Sequence, residues 1–207
     1  KEYHHIAFGT INDSNGNPYK TRDGDAKKLI ELFKETSLKI KKINNDLGND
    51  TNKLLANTVL TFSDLKTNRM TDYKFDLDKF TNISGKTGIY VQYALVRAKK
   101  LLKSSSIKTN NINLNILDLD ESDLNLIRGM IKFEYYFNLA LQNNEPHHLA
   151  DYLYELSNLF NAMYQNENIL ENKSETVKLN KLKISEYFIS YSTLLMECLG
   201  LEPVEKM

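Results

Sequence analysis

A single cysteine, Cys198, stands in the whole chain of 207 residues. That excludes an internal disulfide and any zinc site built from several cysteines, and it fits a reducing compartment. Its place on an apolar helical stripe marks it as a core residue. No run approaches the ~18 apolar residues that a membrane span requires, and we expect neither a span nor a secretory leader. The charge has no sign either, with 27 Lys and Arg against 27 Asp and Glu. That counts against a simple DNA-binding domain, which is usually basic, and leaves open the reading of a few unpaired bases by shape and stacking. No internal repeat is visible. The chain starts on Lys1 and enters at once on an apolar run, so we expect a piece of something longer.

What is present has an order. "YHHIAFGTI" at 3–11 is rich in β-branched and aromatic residues, and an Asn-Gly follows at 15–16. This predicts an antiparallel hairpin between Ile6–Ile11 and Tyr19–Thr21. Asp25 is placed to cap a helix whose face carries Leu29, Phe33, Ile40, Ile43 and Leu47, ended by Gly48. A second helix from near Thr51 would bury Leu54, Leu55, Thr58, Val59, Phe62 and Leu65. Residues 67–88 break the period. Helices are then predicted over about 89–104, 121–142 with a break near Lys132, 147–165 and 175–199, stopped by Gly200 and Pro203. The fold class is mainly α, with a short β element leading into a helical bundle from about 83 to the end.

Several constellations invite chemistry. "SGKTG" at 84–88 lacks the glycine that a phosphate loop needs five positions earlier, where Phe80 stands, so that reading is rejected. His4-His5 and His147-His148 are adjacent pairs with no His-x-x-x-His or Glu-x-x-x-His spacing, and no metal is expected. Asp118, Asp120, Glu121 and Asp123 gather at a helix start and suit its dipole. "NPYKTRDGD" at 17–25 sets Lys20 and Arg22 on a glycine-hinged loop, either a solvated turn or a seat for phosphate. The helix after Gly88 carries two stripes. Val91, Ala94, Leu95, Ala98, Leu101 and Leu102 form a core face; Tyr90, Tyr93, Arg97 and Lys100 form the other. Rings alternating with cations suit unpaired bases, and they equally suit tyrosines packing on a neighbouring helix. In "HHLADYLYELSNLFNAMYQNEN" the core positions are Leu149, Tyr152, Leu153, Leu156, Phe160 and Met163, and Tyr164 falls at the helix's far edge. Met207 by itself reads as a tail.

Taken together, "HIAFGT", "GNPYKTRDGD", "LKTNRMTDYKFDLDKF", "GKTGIYVQYALVRAKKLL", "HHLADYLYELSNLFNAMY" and the terminal Met resemble the C-terminal part of the bacterial arginyl-tRNA synthetase family. The order and spacing agree over nearly the whole chain; 103–120 carries no signature. The resemblance implies a class I aminoacyl-tRNA synthetase, an arginine–tRNA ligase, with a Rossmann-type catalytic core and a DALR-type helical anticodon-binding domain. It divides the chain into the edge of the catalytic domain (1–24), connector helices that meet the tRNA stem (25–82) and the anticodon-binding domain (83–207). "YKTRDG" corresponds to the signature loop that clamps ATP phosphates. Lys20 and Arg22 would then be catalytic, with Thr21 and Gly24 binding the nucleotide; the loop lacks its second lysine in the usual place. Carried over likewise, Gly85, Tyr90, Tyr93, Arg97, Tyr164 and Met207 face the tRNA, and Asn168 stands where some relatives have a tryptophan. His-x-Gly-His is nowhere in the chain, so this piece alone is expected to be inactive. The implied partners are an arginine tRNA, and arginine and ATP with Mg through a core this piece lacks. No cofactor on this fragment, no membrane and no DNA are expected, and a cytoplasmic monomer is. Two other readings fit the stripes: the anticodon domain of a cysteinyl synthetase, and a helical protein-interaction module.

Overall fold

The structure is a computed structural model, and it describes residues 3, 5–13, 16–18, 28–110 and 112–207. Lys20, Thr21, Arg22, Gly24, the Asp25 cap and the Tyr19–Thr21 arm of the expected hairpin lie outside the described residues. A two-residue strand β1 (Ile11–Asn12) leads to α1 (Leu29–Ile43) and α2 (Asn49–Leu65), then β2 (Tyr73–Lys74) and the single turn α3 (Leu77–Phe80). Five longer helices follow: α4 (Gly88–Ser105), α5 (Glu121–Ile131), α6 (Phe133–Asn143), α7 (His147–Asn166) and α8 (Glu175–Cys198). The mainly helical class holds, and among the described residues no helix is long and apolar enough to cross a membrane.

The second arm of the expected hairpin lies outside the described residues, and within them β1 has a partner that the hairpin reading did not name. Its strand partner is β2, parallel, with Ile11 opposite Tyr73 and Asn12 opposite Lys74. The local turn does form: Gly16 has φ +88°, its N–H donates to the Asp13 carbonyl at 3.0 Å, and Asn12 bridges Pro18 in antiparallel sense. A turn signal specifies only such local pairing, and the segment 69–75 supplies a longer edge. Gly9 donates its N–H to the Arg69 carbonyl at 2.5 Å, and a Cβ on Gly9 would sit 2.7 Å from the Thr71 carbonyl carbon. The backbones can therefore approach only because residue 9 has no side chain. Ile6, Phe8 and Ile11 stay exposed.

Two apolar clusters hold the helices. One joins α1, α2 and α3 through Ile40, Leu47, Leu55, Val59 and Phe80, and it takes in Ile89 of α4 and Val204 of the C-terminal segment. The other fills the space among α4, α5, α6, α7 and α8 with Val91, Leu95, Leu126, Leu156, Phe160 and Phe188. Each fully buried Leu or Phe contributes about 1.5–3 kcal/mol. Helix α4 therefore belongs to both clusters. Its start lies so close to α2 that a Cβ on Gly88 would meet the Thr58 carbonyl oxygen at 2.7 Å.

Helix ends follow from identifiable bonds. Thr87 caps α4 by accepting the Tyr90 N–H at 3.1 Å. The break at Lys132 falls where expected, because the buried Tyr152 hydroxyl reaches the Gly129 and Met130 carbonyls at 2.9 and 3.1 Å and satisfies the end of α5. Asn144, at φ +54°, ends α6, and Gly200, at φ +68°, follows α8. Three expectations need correction. Gly48 caps the start of α2 rather than ending α1, which already leaves helical geometry at Asn44. Leu29 and Ile43 are exposed, because α2 covers α1 only along the line of Thr36 and Ile40. Cys198 is exposed as well, since the buried row of α8 runs through Leu195 and on to Leu199, one step around the helix.

Candidate functional site

The second stripe of α4 meets α7, and the two helices run side by side in the same direction. At one end Lys86 pairs with Asp151. Further along, the Tyr90 hydroxyl donates to Asn158 Oδ1 at 2.7 Å while its ring leans on Tyr154 with centroids 5.4 Å apart. At the far end Arg97 donates from Nη1 to Asn161 Oδ1 at 2.6 Å and from Nη2 to the Tyr93 hydroxyl at 2.9 Å. Its guanidinium carbon lies 4.5 Å from the centre of the Tyr93 ring and 4.9 Å from that of Tyr164. Both separations are within the range of cation–π attraction. Tyr93, Arg97 and Tyr164, distant in sequence, thus form one unit of two rings and a planar cation.

The C-terminal segment closes one flank. Gln92 is fully buried on α4; its Nε2 donates to Thr58 Oγ1 at 3.0 Å and to the Glu202 carbonyl at 2.7 Å, and its Oε1 accepts the Val204 N–H at 3.0 Å. Lys99 pairs with Glu205 at 2.5 Å. These bonds carry Met207 to the rim of an apolar cavity of about 260 Å³ that Tyr93, Ile40, Leu47, Ile83 and Ile89 also line. Met207 is therefore part of a wall and not a free tail. The cavity is apolar along α1 and α2, and Asn44, Thr81 and Tyr93 are the polar members of its lining.

Of the expected contact residues, Tyr93, Arg97 and Tyr164 come together, and Met207 shares the cavity with Tyr93. Tyr90 is engaged one turn back along the same groove. Gly85 stands at the opposite end from Arg97, in the turn before α4, at φ +83° with open space where a Cβ would point. That turn is tied by Lys66 donating to the Lys86 carbonyl at 2.7 Å and by Thr87 donating to the Asn82 carbonyl at 2.7 Å. The aromatic–cation stripe was readable in the sequence. Asn158 and Asn161, which hold it, were not picked out, although with Tyr154 they repeat at steps of four and three along α7. Gln92 was missed too; its signal is an amide one residue after Val91 in an otherwise apolar face.

The histidine pair has a neighbour that spacing rules did not flag. Glu145 reaches His148 Nε2 at 3.1 Å from the turn before α7, and the possible ligand atoms of Glu145, His147 and His148 lie within 4.8 Å of one another. Burial, and then His148 beside it, hold the His147 imidazole below its ordinary value, against Glu145 and Asp151. The acidic group at the start of α5 is also more than a dipole complement. Asp120 and Asp123 form a capping box, and both accept from Lys181 at 2.8 Å.

Comparison with known proteins adds to this geometry. Residues 91–207 match the DALR anticodon binding domain family, and residues 1–77 match the catalytic domain of the class I (R) tRNA synthetases. An arginine–tRNA ligase of Buchnera aphidicola subsp. Schizaphis graminum is 36% identical over 99% of this chain and 36% of its own length. One from Serratia proteamaculans is 31% identical over 99% of this chain and 37% of its own length. The chain thus spans about a third of the length of these curated relatives. Among solved structures, Thermus thermophilus arginyl-tRNA synthetase superposes over 99% of this chain and 35% of its own with a TM-score of 0.88; at 24% identity it speaks for the fold alone. Plasmodium falciparum arginyl-tRNA synthetase covers 98% of this chain and 35% of its own at 28% identity and a TM-score of 0.81.

Proposed function

The chain belongs to the DALR anticodon-binding family, and on that premise we propose that it is the C-terminal, anticodon-reading part of an arginine–tRNA ligase. The intact enzyme would join arginine to its tRNA with ATP, releasing AMP and pyrophosphate. The observation that carries this reading is the unit of Tyr93, Arg97 and Tyr164, held by Asn161 in the groove between α4 and α7. Unpaired bases of an RNA loop present flat faces that stack on tyrosine and guanidinium planes, and their phosphates pair with the same cation. Next to that unit, the apolar cavity lined by Tyr93 and Met207 can take a base, and the Asn44 amide in its lining can hydrogen-bond it.

In this proposal the chain has three parts. Residues 83–207 read the anticodon, residues 25–82 connect to the tRNA stem, and residues 1–24 complete a catalytic domain. Lys20 and Arg22, with Thr21 and Gly24, would meet the ATP phosphates; positioned cations there offset the charge that develops on the leaving pyrophosphate. ATP and its Mg ion supply the activation of the arginine carboxylate. The loop lies outside the described residues, and what supports its role is the match of 1–77 to the catalytic domain of this class.

The test is direct binding of this chain to synthetic RNA hairpins carrying an arginine anticodon loop and the same hairpin with a cysteine anticodon. Preference for the arginine loop, lost in Tyr93→Ala with Arg97→Ala, is the expected result. Equal affinity for both loops, or a double variant that binds like the native chain, overturns the reading.

A further inference from the structure

We propose that Lys181 is a positioning residue for the Tyr164 end of the groove, clasping the start of α5, the end of α7 and α8 so that the Tyr164 ring is held where an unpaired base stacks. This rests on the reading of the groove as an anticodon site. Lys181 lies on α8 with no exposed side chain, and its ammonium donates at 2.8 Å to Asp120 Oδ2 and at 2.8 Å to the equally buried Asp123. A third carboxylate, Glu167, faces it at 3.4 Å. Asp120 is the N-cap of α5 and Asp123 lies in its first turn, whereas Glu167 immediately follows α7. The same oxygen of Asp120 also accepts from Asn166, the last residue of α7, at 3.2 Å. Asn166 and Glu167 are thus both held from outside their own helix, two and three residues after Tyr164.

Helix α7 needs that help. It has no basic residue in its last turn, and the residue after it is Glu167, in extended geometry at φ −156° and ψ 163°, rather than a glycine. A helix end without such features frays, because its last carbonyls lack partners. Fraying of that turn would release Tyr164, which packs against Phe160 at 5.9 Å and against the Arg97 guanidinium. Stability alone gives no reason for the arrangement, since a buried ion cluster is often matched or exceeded by apolar side chains of similar size. What the charges achieve, and an apolar patch does not, is a fixed geometry among three elements, because the ammonium makes directed bonds to Asp120 and Asp123 and an ion pair with Glu167.

The test uses Lys181→Met combined with Asp123→Leu, so that no charge is left buried alone, together with Lys181→Arg and Asn166→Ala. Three quantities are read: the thermal midpoint, hydrogen exchange of the amides 164–167 in the free chain, and quenching of 2-aminopurine placed in the loop of an RNA hairpin with an arginine anticodon. The double variant should keep its melting cooperative while exchange at 164–167 rises about tenfold. Hairpin affinity should fall about tenfold with loss of quenching, the scale of one stacked base. Lys181→Arg should restore both. Should the double variant unfold, Asn166→Ala alone removes the strap on α7 and should still raise exchange there and weaken the hairpin about threefold. Unchanged exchange at 164–167, or raised exchange with undiminished affinity, overturns the proposal. A native chain that does not bind the hairpin overturns the anticodon reading instead, and the exchange result then still tells a clasp from none.

Discussion

The side-chain oxygen of Gln92 accepts the backbone N–H of Val204 at 3.0 Å, across 112 positions of sequence and out of reach of water. The same amide reaches Thr58 and the Glu202 carbonyl, so one buried side chain joins α2, α4 and the C-terminal segment. Replacing it with an apolar residue of similar size leaves the Glu202 carbonyl and the Val204 N–H without partners, while the Thr58 hydroxyl keeps its bond to the Leu54 carbonyl.

Gln92→Leu should therefore destabilise the chain by about 1–3 kcal/mol. At about 2–4 °C per kcal/mol for a chain of this size, the loss is visible in a thermal melt. It should also loosen Met207, so RNA-hairpin affinity should fall in this variant and in a chain lacking Met207, while deletion of Met207 alone leaves the melting point near its native value. A tail that contributes nothing would leave hairpin binding unchanged on deletion.

Close packing of α2 on α4 makes a second test. A Cβ on Gly88 would lie 2.7 Å from the Thr58 carbonyl oxygen and 3.0 Å from its carbonyl carbon, both backbone atoms. On Gly129 it would meet a leucine tip, Leu159 Cδ1, at 2.6 Å. The leucine can rotate and the backbone cannot. Gly88→Ala should cost more than Gly129→Ala, which stays within the ~1–3 kcal/mol of ordinary overpacking. Equal melting points for the two variants would contradict this account.

How much of this could be read beforehand depends on whether the determinant is local. The 3.6-residue period marked α4, α7 and α8 to within a few residues, because each buries a continuous face, and the Tyr90–Tyr93–Arg97 stripe stood out for the same reason. The partner of β1 could not be read, since Gly9 and Thr71 approach each other across more than sixty residues and no local rule encodes that. Nor could the burial of Lys181: in "KLNKLKI" it looks like one of three solvent-facing lysines, and only the packing of α5 and α7 onto α8 encloses it. Cys198 failed by a single step around its helix. Of the two readings of the α4 stripe, packing on a neighbouring helix holds at Tyr90, whose ring lies on Tyr154, while Tyr93 remains 37% exposed.

His147 gives a pH prediction. Burial first, and then the adjacent His148, lower its folded value below the ordinary 6.5. The folded chain therefore prefers the neutral ring, and the unfolded chain takes up the proton first as pH falls. This contribution is fully present above about 6.5 and is lost as pH drops through the lowered folded value. The thermal midpoint should decline as pH falls below about 6.5, and His147→Gln should flatten part of that decline. A native profile level over this range would show that the ring carries no such linkage.

Arg97 separates two ways of holding RNA. Its guanidinium lies against Tyr93 and Tyr164 and is held by Asn161, so it can serve as a stacking plane, as a phosphate partner, or as both. A phosphate contact releases condensed counterions, so removing it should lower the slope of log K against log salt by about 0.7 for a single-stranded loop. Stacking leaves that slope alone. We expect Arg97→Ala to weaken hairpin binding and to lower the slope by this amount. Asn161→Ala, which keeps the charge and frees the side chain, should weaken binding less and leave the slope unchanged. Titrations of the native chain and both variants at several salt concentrations measure this. A loss of affinity in Arg97→Ala with the native slope would assign the residue to stacking alone, and the phosphate would then have to be met elsewhere, with exposed Lys100, one turn further along the same face, as the next residue to replace.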